Sequence, residues 1–327
     1  MDNTLDLFFE DGYVEPRAEE KAALITKLQS GDYTLSFSSL SAFAISPAAF
    51  IAYKLQEYKT TKAMLMGELV HCLVLEPDEV LNRYHIAPNV SGATAEGKNA
   101  WAKLYLHFLN NALDKGGITK EAETAIEAKL AGVTENKQGN LQAPKIDDII
   151  ADVKAICGTT IIPHTANEEA KFRARKLLTN RACRHVINQL TYTEKKITFE
   201  FCGIKFRGVI DGGGNGIICD LKNMPDATIE KAQYAIWGRR LHWQAFGYNE
   251  AMNGGNECYI LAVDGSGETS VHWFSERNLM AAERQMKRYC QKFKECITES
   301  LFDISVWDMS QDFWLRSEMN EFGINHL

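Results

Sequence analysis

The sequence lacks several features that would decide its class at once. No stretch approaches the ~18 uninterrupted apolar residues that a membrane span needs, so no spanning segment is predicted. The first residues are acidic and contain no apolar h-region, which argues against a secretory signal. The eight cysteines form no CxxC pair, so neither a zinc ribbon nor an iron–sulfur cluster is indicated. Several cysteines lie in apolar runs, as buried thiols do, and the sequence predicts a reduced, cytosolic protein.

An excess of basic residues is also missing. There are 36 Lys and Arg against 43 Asp and Glu, which gives a formal net charge of −7. This charge argues against a protein that coats polyanions generally. It does not exclude a nuclease, because a local basic track and a local acidic metal site are averaged in the total. The chain has no internal repeat, and its GGGNG segment lacks the GK[ST] and the following helix of a phosphate-binding loop.

The first half of the chain is predicted to be helical. Residues 1–33 are polar and acidic with little periodicity, so we expect a flexible N-terminal arm. Helical patterns then recur over 47–55, 62–75, 98–131, 146–157 and 166–190. We expect the part from 106 to 190 to be a helical, insertion-like region, and 301–327 to be a C-terminal tail.

The character of the sequence changes at residue 196. Residues 196–211 alternate β-forming residues, GGGNG supplies a turn, and IICDLKN at 217–223 resumes the pattern, which predicts a β-hairpin. Further elements are predicted as a helical region at 227–252, strands at 258–264 and 268–276, and an amphipathic helix at 277–298. This order predicts an α/β core with a mixed sheet flanked by helices, in one domain over 34–300 with its sheet core at 196–276.

Three charged residues of the predicted hairpin could carry chemistry. Asp211 ends the first strand, and Asp220 and Lys222 on the second point to one face because strand side chains alternate. Such charges on an apolar strand are costly unless something uses them. Two carboxylates can hold Mg²⁺, and an adjacent lysine can orient the attacking water and stabilise developing charge. A solvated edge hairpin with an incidental ion pair is the alternative interpretation of these residues alone.

The geometry of a simple hairpin poses a difficulty for a shared metal. With the turn at 212–216, Asp211 lies beside the turn and Asp220 about three pairs further along, so the strands must splay or bulge for both to reach one ion.

The helical region after the hairpin adds a second pattern. In LHWQAFGYNEA, Gln244 and Tyr248 are four residues apart and therefore share one helix face. A D…DxK hairpin followed by a QxxxY helix resembles the PD-(D/E)xK nuclease superfamily, in particular the branch with RecB, lambda exonuclease and the phage RecE-type exonucleases. The resemblance implies that Asp211 and Asp220 bind metal, that Lys222 serves catalysis, and that Gln244 and Tyr248 support the site.

An upstream helix extends the resemblance. The surroundings of His71 in MGELVHCLVLEP are similar to a RecE-like pattern, which implies that His71 is a further metal ligand; a buried core histidine is the alternative. In the superfamily a backbone carbonyl often completes the metal shell, and here this implies Leu221. Two other segments resemble RecE-like motifs, namely Ser36, Ser38 and Ser39 with Pro47, and Gly97-Lys98 with Trp101.

Several basic residues are candidate DNA contacts. Arg207 shares the strand face of Asp211 and could reach the scissile phosphate. Arg239 and Arg240 lie just before the QxxxY helix and are candidates for contact with the DNA backbone. The stretch 171–185 indicates either a DNA track or a solvated helix face, since it concentrates Lys171, Arg173, Arg175, Lys176, Arg181 and Arg184.

The resemblance also implies a function. The expected protein is a Mg²⁺-dependent exodeoxyribonuclease, with Mn²⁺ as a substitute, that digests linear double-stranded DNA 5′ to 3′ and leaves 3′ single strands for recombination. It further implies a phage or prophage protein of the bacterial cytosol, a RecT-type single-strand annealing partner, a ring-like homo-oligomer and no membrane association. Two alternatives stay open: a structure-specific or restriction-like endonuclease, and a DNA-binding recombination accessory protein that no longer cuts.

Overall fold

The computed structural model describes residues 17–56, 61–114, 119–137 and 139–302. The helices in these ranges are α1 (Ala18–Gln29), α2 (Phe37–Ile45), α3 (Pro47–Leu55), α4 (Lys62–Leu75), α5 (Val80–Arg83), α6 (Ala95–Asp114), α7 (Lys120–Ala131), α8 (Ile146–Cys157), α9 (His164–Thr179), α10 (Arg181–Ile187), α11 (Ile229–Gly238), α12 (Leu241–Ala251) and α13 (Glu276–Glu299). The strands are β1 (Tyr84–Ile86), β2 (Thr134–Glu135), β3 (Leu141–Gln142), β4 (Thr160–Ile162), β5 (Tyr192–Phe201), β6 (Ile204–Gly214), β7 (Ile217–Asn223), β8 (Glu257–Val263) and β9 (Thr269–Phe274). None of the helices in the described ranges combines the length and apolar character that a bilayer crossing requires.

The chain forms two compact units. The second unit runs from Leu65 to Arg175, and the described residues on either side of it form the first. The first unit contains a five-stranded sheet in the order β5-β6-β7-β8-β9. Strands β7 and β8 are parallel and the other neighbouring pairs are antiparallel. The parallel step follows from the crossover through α11 and α12, since parallel neighbours cannot be joined by a tight turn. The predicted mixed sheet flanked by helices is confirmed.

The predicted hairpin is a three-stranded meander. The sequence pattern predicts one strand over 196–211, but the chain reverses at Cys202 and Gly203, which have φ angles of 51° and 66°. The second reversal is at Asn215 and Gly216, with φ angles of 51° and 77°, as two-residue hairpin turns of the Asn-Gly type require. The three glycines before Asn215 therefore extend β6 instead of forming the turn.

Helices α2, α12 and α13 cover one face of this sheet and share its core. The core includes Phe37 of α2, Phe206 of β6, Trp243 of α12 and Phe293 of α13. Helix α1 also contributes, because Leu28 is buried in the same cluster. The flexible arm predicted through residue 33 is thus wrong for α1, while residues 1–16 lie outside the described part of the chain.

The second unit is mainly helical. Its core joins α6, α7 and α8 through a set of buried side chains that includes Tyr105, Leu109, Ile126, Ile149 and Val153. Helices α3, α4 and α8 have the bounds that the sequence predicts. The short pairs β1–β4 and β2–β3 were not predicted, because strands of two or three residues are too short to show a period of two.

Candidate active site

Asp211 lies where the sheet is interrupted on both sides of β6. The pairing of β6 with β5 skips Asp211 and Glu194, and the pairing with β7 ends at Gly212↔Cys219. Continuing that register places Asp211 opposite Asp220. The expected offset of several pairs is therefore wrong, because the glycines belong to β6. The expected parting of the strands is present, since in the described part of the chain no β6–β7 pair lies beyond Gly212↔Cys219. From there β6 pairs with β5 and, at Phe206, with Leu35, while β7 pairs with β8.

The carboxylate of Asp211 reaches across the gap between the parted strands. Its Oδ2 accepts a hydrogen bond from the Leu221 N–H at 2.8 Å. Where strands part, backbone N–H groups lose their partners in the sheet and need another acceptor. A carboxylate is a strong acceptor for such an N–H group. This bond fixes Asp211 against β7, beside the strand segment that carries Asp220 and Lys222.

Asp220 and Lys222 form an ion pair on one face of β7. The Lys222 Nζ lies 2.7 Å from Asp220 Oδ2, and the two side chains are 26% and 8% exposed. Burial alone would lower the pKa of Lys222, but the negative charges of Asp220 and Asp211 outweigh it and the pKa is raised. Lys222 is therefore charged at neutral pH. The predicted common face of these two side chains is confirmed.

Helix α12 presents the Gln244 and Tyr248 side chains to the same site. Gln244 Nε2 donates to the Tyr248 hydroxyl at 2.5 Å, and that hydroxyl donates to the Val209 carbonyl at 2.5 Å. Burial and the nearby charges of Asp220 and Asp211 raise the pKa of Tyr248, which keeps its phenol protonated. The two side chains line a small cleft together with Ile218, Asp220, Leu241, Ala245, Cys258, Tyr259 and Ile260.

The arrangement suits a divalent cation with oxygen ligands. Asp211 and Asp220 offer carboxylate oxygens at one point of the sheet, and Lys222 neutralises only one of the two negative charges. Hard cations such as Mg²⁺ and Mn²⁺ prefer carboxylate, carbonyl and water oxygens. The donors present therefore fit the metal that the sequence predicts.

Two predicted metal ligands are not tested by this geometry. His71 lies on α4 in the second unit, where its side chain is half-buried. The Leu221 backbone enters the site through its N–H, and the role of its carbonyl stays a prediction, as does that of His71.

The predicted DNA contacts near the site differ in their surroundings. Arg207 is exposed on β6, four residues before Asp211. Arg239 and Arg240 join α11 to α12, and burial lowers the pKa of Arg239. The Arg240 backbone is left-handed, with φ of 57°, and its guanidinium lies 5.4 Å from the centre of the Trp243 ring.

The basic stretch at 171–185 is partly neutralised within its own helices. On α9, Lys171 pairs with Glu168 and Arg173 pairs with Glu169. The remaining predicted cations of this stretch, Arg175, Lys176, Arg181 and Arg184, are exposed. A DNA track along these residues stays a prediction.

Two elements of the site were missed by the sequence analysis. The Val209 carbonyl holds Tyr248, and Glu194 lies opposite Asp211 with a left-handed φ of 50°. A correct placement of the Cys202–Gly203 turn would have paired Glu194 with Asp211. No sequence signal marks a backbone carbonyl that binds a side chain.

Comparison with known proteins identifies the family. A sequence family described as a PDDEXK-like domain of unknown function (DUF3799) matches residues 36–305. A crystal structure from Eubacterium rectale, of a protein described as a candidate exonuclease, is similar with a TM-score of 0.48, at 11% identity over 88% of each chain. No curated protein sequence matches this chain. Because the family match spans most of the chain and contains every residue of the site, this protein belongs to the PDDEXK-like DUF3799 family of the PD-(D/E)xK nuclease superfamily.

Proposed function

We propose that this protein is a divalent-metal-dependent exodeoxyribonuclease of the RecE type that degrades linear double-stranded DNA. The observation that carries the proposal is the convergence of Asp211, Asp220 and Lys222 where β6 and β7 part. Charged groups gathered on the half-buried centre of a sheet are costly unless the site uses them. Gln244 and Tyr248 support the same point from α12.

Each residue has a role that follows from its position. Asp211 and Asp220 would hold Mg²⁺ or Mn²⁺, with His71 and the Leu221 carbonyl as the further ligands that the resemblance implies. Such an ion, when bound, polarises the scissile phosphate and lowers the pKa of a bound water. Lys222, kept charged by its two carboxylate neighbours, orients the attacking water and stabilises the negative charge that develops on the phosphate.

The finer parts of the proposal rest on the resemblance of the sequence motifs. They are 5′ to 3′ polarity, release of a 3′ single strand for recombination, a RecT-type annealing protein as partner, and a ring-like homo-oligomer. The same resemblance implies the cytosol of a bacterial host as the location of the protein.

The decisive experiment compares linear and covalently closed circular duplexes of the same sequence. An exonuclease must admit an end, so we expect progressive loss of the linear DNA with Mg²⁺ while the closed circle persists. Labels at the 5′ or the 3′ end of the linear duplex report the polarity. Discrete fragments from the closed circle would replace the proposal with an endonuclease. Binding without loss of either substrate would instead indicate an accessory protein.

Matched variants connect the activity to the site. Asp220→Asn should abolish cleavage. Lys222→Ala should strongly reduce it, with a loss of about 3–4 kcal/mol of transition-state stabilisation. Asp78→Asn makes the same chemical change as Asp220→Asn at an exposed position and should leave the rate unchanged. Cleavage by the wild type in EDTA would overturn the metal-dependent mechanism.

A further inference from the structure

The second unit contains an open cavity that the proposed function does not use. It has a volume of about 390 Å³ and lies outside the carboxyl ends of the parallel strands β1 and β4, where residues 87–91 and 161–165 line it. Trp101 of α6 and Ile150 of α8 complete the lining. Crevices at the carboxyl ends of parallel strands are common ligand sites, and ligand pockets measure roughly 300–1,000 Å³. The cavity therefore has the position and the size of a small-molecule site.

Trp101 brings a hydrogen-bond donor without an acceptor to this cavity. The residue is only 7% exposed, yet its ring N–H donates to no acceptor among the described residues. A buried tryptophan N–H normally has a partner, because an unsatisfied donor costs about 1–3 kcal/mol. The indole lines the cavity, and its Nε1 lies 3.8 Å from the point where a Cβ on Gly92 would be. A ligand in the cavity could therefore supply the missing acceptor.

The start of α9 supplies further donors. The N–H groups of residues 164–166 donate to no acceptor in the described part of the chain, and the first bond of the helix runs from the Asn167 N–H to the Pro163 carbonyl. Unpaired N–H groups at the start of a helix favour an anion. Ser91 and Thr165 add hydroxyl groups, and none of the described residues that line the cavity carries a carboxylate. The polar part of the cavity therefore suits a negatively charged acceptor.

The loop between β1 and α6 is held against α6 by a close backbone contact. A Cβ at Gly97 would lie 1.8 Å from the Ser91 carbonyl oxygen, so only glycine allows this approach. Gly97 and Trp101 are four residues apart and share a face of α6. The contact therefore fixes the loop that lines the cavity beside the Trp101 ring, and it gives a structural reason for the sequence motif that contains these two residues.

We propose that this cavity binds a free nucleoside monophosphate. The phosphate accepts hydrogen bonds at the start of α9, the Trp101 N–H donates to the same ligand, and the base packs on the apolar side chains of Val90, Ile150 and Ile162. The choice of a nucleotide over another anion with an apolar body rests on the proposed function, because an exodeoxyribonuclease releases nucleoside monophosphates. The inference adds a binding site for the product in the second unit, whereas Asp211 and Asp220 belong to the first.

The test is isothermal titration of the full chain with dAMP in EDTA. EDTA removes divalent cations, so binding of the phosphate through a metal at Asp211 and Asp220 does not contribute. We expect one dAMP per chain, and roughly tenfold weaker binding or less for inorganic phosphate and for deoxyadenosine, since each makes only part of the contacts. Absence of dAMP binding would overturn the proposal, as would either fragment binding as tightly as dAMP.

Matched variants locate the bound nucleotide. Trp101→Phe keeps an aromatic ring in the core but removes the N–H, and Thr165→Val removes a hydroxyl at an exposed position where folding is not at risk. Each should weaken dAMP binding, by roughly tenfold for Trp101→Phe. The controls are Trp273→Phe on β9, where the side chain is exposed, and Thr179→Val at the other end of α9. Equal losses of affinity in a variant and its control would contradict the site.

A strand with a 5′-phosphate presents the same base and phosphate as free dAMP. A 5′-phosphorylated single-stranded hexanucleotide, titrated in the same buffer, distinguishes the two sources. We expect it to bind more weakly than dAMP, because the chain carries a net charge of −7 that repels the additional phosphates. Binding as tight as that of dAMP, and weakened equally by Trp101→Phe, would overturn the assignment to a free nucleotide.

Failure of this inference can be distinguished from failure of the proposed function. If the wild type cuts linear DNA with Mg²⁺ but does not bind dAMP in EDTA, the cavity is not a nucleotide site although the nuclease proposal stands. If dAMP binds and Trp101→Phe weakens it while no DNA is cut, the nucleotide site stands although the nuclease proposal fails.

Discussion

At the scale of single residues, the site is held by backbone groups of the sheet as much as by other side chains. The Leu221 N–H holds the Asp211 carboxylate, and the Val209 carbonyl holds the Tyr248 hydroxyl. Val209 is two residues before Asp211, so Tyr248 ties α12 to the strand segment that carries a proposed metal ligand. The positions of Gln244 and Tyr248 therefore affect the site through β6.

The first prediction concerns the Tyr248 hydroxyl. Tyr248→Phe leaves the Gln244 amide and the Val209 carbonyl without this partner, and should lower the free energy of unfolding by about 1–3 kcal/mol. The cleavage rate should also fall, because β6 loses its link to α12 beside Asp211. Urea unfolding and initial rates on linear duplex measure the two effects.

A matched control separates this link from the loss of any tyrosine hydroxyl. The Tyr259 hydroxyl donates to Glu257 at the protein surface, and Tyr259→Phe should change stability by less than about 0.5 kcal/mol. Equal losses of stability in the two phenylalanine variants would contradict the role of the Val209 contact.

At the scale of elements, α12 is positioned by a buried polar contact with α13. Gln285 Oε1 accepts from Trp243 Nε1 at 2.8 Å and lies 2.8 Å from His242 Nε2. Burial lowers the pKa of His242 to about 3, so its ring is neutral at physiological pH and Nε2 is its donor to Gln285. One amide oxygen thus satisfies two donors on the helix that carries Gln244 and Tyr248.

The second prediction tests this helix–helix contact. Gln285→Leu removes the acceptor and leaves two buried donors, which should cost about 1–3 kcal/mol for each donor in unfolding free energy. Gln291→Leu is the control, because Gln291 is on the exposed side of the same helix and bonds to Glu295. A loss in Gln285→Leu no larger than that in the control would show that the contact does not stabilise the pair of helices.

Asp264 organises the connections at the ends of β7 and β8. Its carboxylate accepts hydrogen bonds from the Ala227 N–H at 2.9 Å and from the Glu268 N–H at 3.1 Å. It also accepts from the Ser266 N–H at 2.8 Å and from the Ser266 hydroxyl at 2.7 Å. Burial would raise the pKa of Asp264, but these hydrogen bonds outweigh it and the pKa is lowered. The carboxylate therefore joins the β8–β9 turn to the segment that leads into α11.

The third prediction follows from that lowered pKa. A carboxyl group whose pKa is lower in the folded state stabilises the protein above its unfolded pKa of about 3.9, and this contribution is lost as pH falls through the folded value. Asp264→Ala should therefore lower the unfolding free energy at pH 7, and the difference from the wild type should shrink below about pH 4. Denaturant unfolding at pH 7 and pH 3 measures it, and a difference that grows on acidification would contradict this account.

At the scale of the whole molecule, net charge opposes DNA binding unless a cation is present. The chain carries −7 overall, and Asp211 and Asp220 add negative charge where the scissile phosphate would lie. We expect weak binding of a linear duplex in EDTA and clearly tighter binding in Ca²⁺, which occupies such a site without supporting cleavage. Fluorescence anisotropy in the two buffers is the measurement.

The control for this fourth prediction, the dependence of DNA binding on Ca²⁺, is the double variant Asp211→Asn with Asp220→Asn. Removing both charges should strengthen binding in EDTA relative to the wild type and abolish most of the effect of Ca²⁺. Wild-type binding that does not respond to Ca²⁺ would contradict a metal site at these carboxylates.

Features that depend on neighbours along the chain could be predicted without the structure. The bounds of α3, α4 and α8, the common face of Asp220 and Lys222, and the pairing of Gln244 with Tyr248 all follow from helix or strand periodicity. The resemblance of the D…DxK and QxxxY motifs to PD-(D/E)xK nucleases implied the superfamily, and the family match confirms it.

The pairing of the strands and their register could be read only from the folded chain. The structure placed the turn at Cys202 and Gly203 and set Asp211 opposite Asp220. Register depends on how the helices cover the sheet and on where each turn forms, and moving a turn by a few residues changes every opposing pair. Local sequence patterns do not report contacts between residues that are distant along the chain. The charged groups could therefore be identified from the sequence, but the break in the sheet where they converge could not.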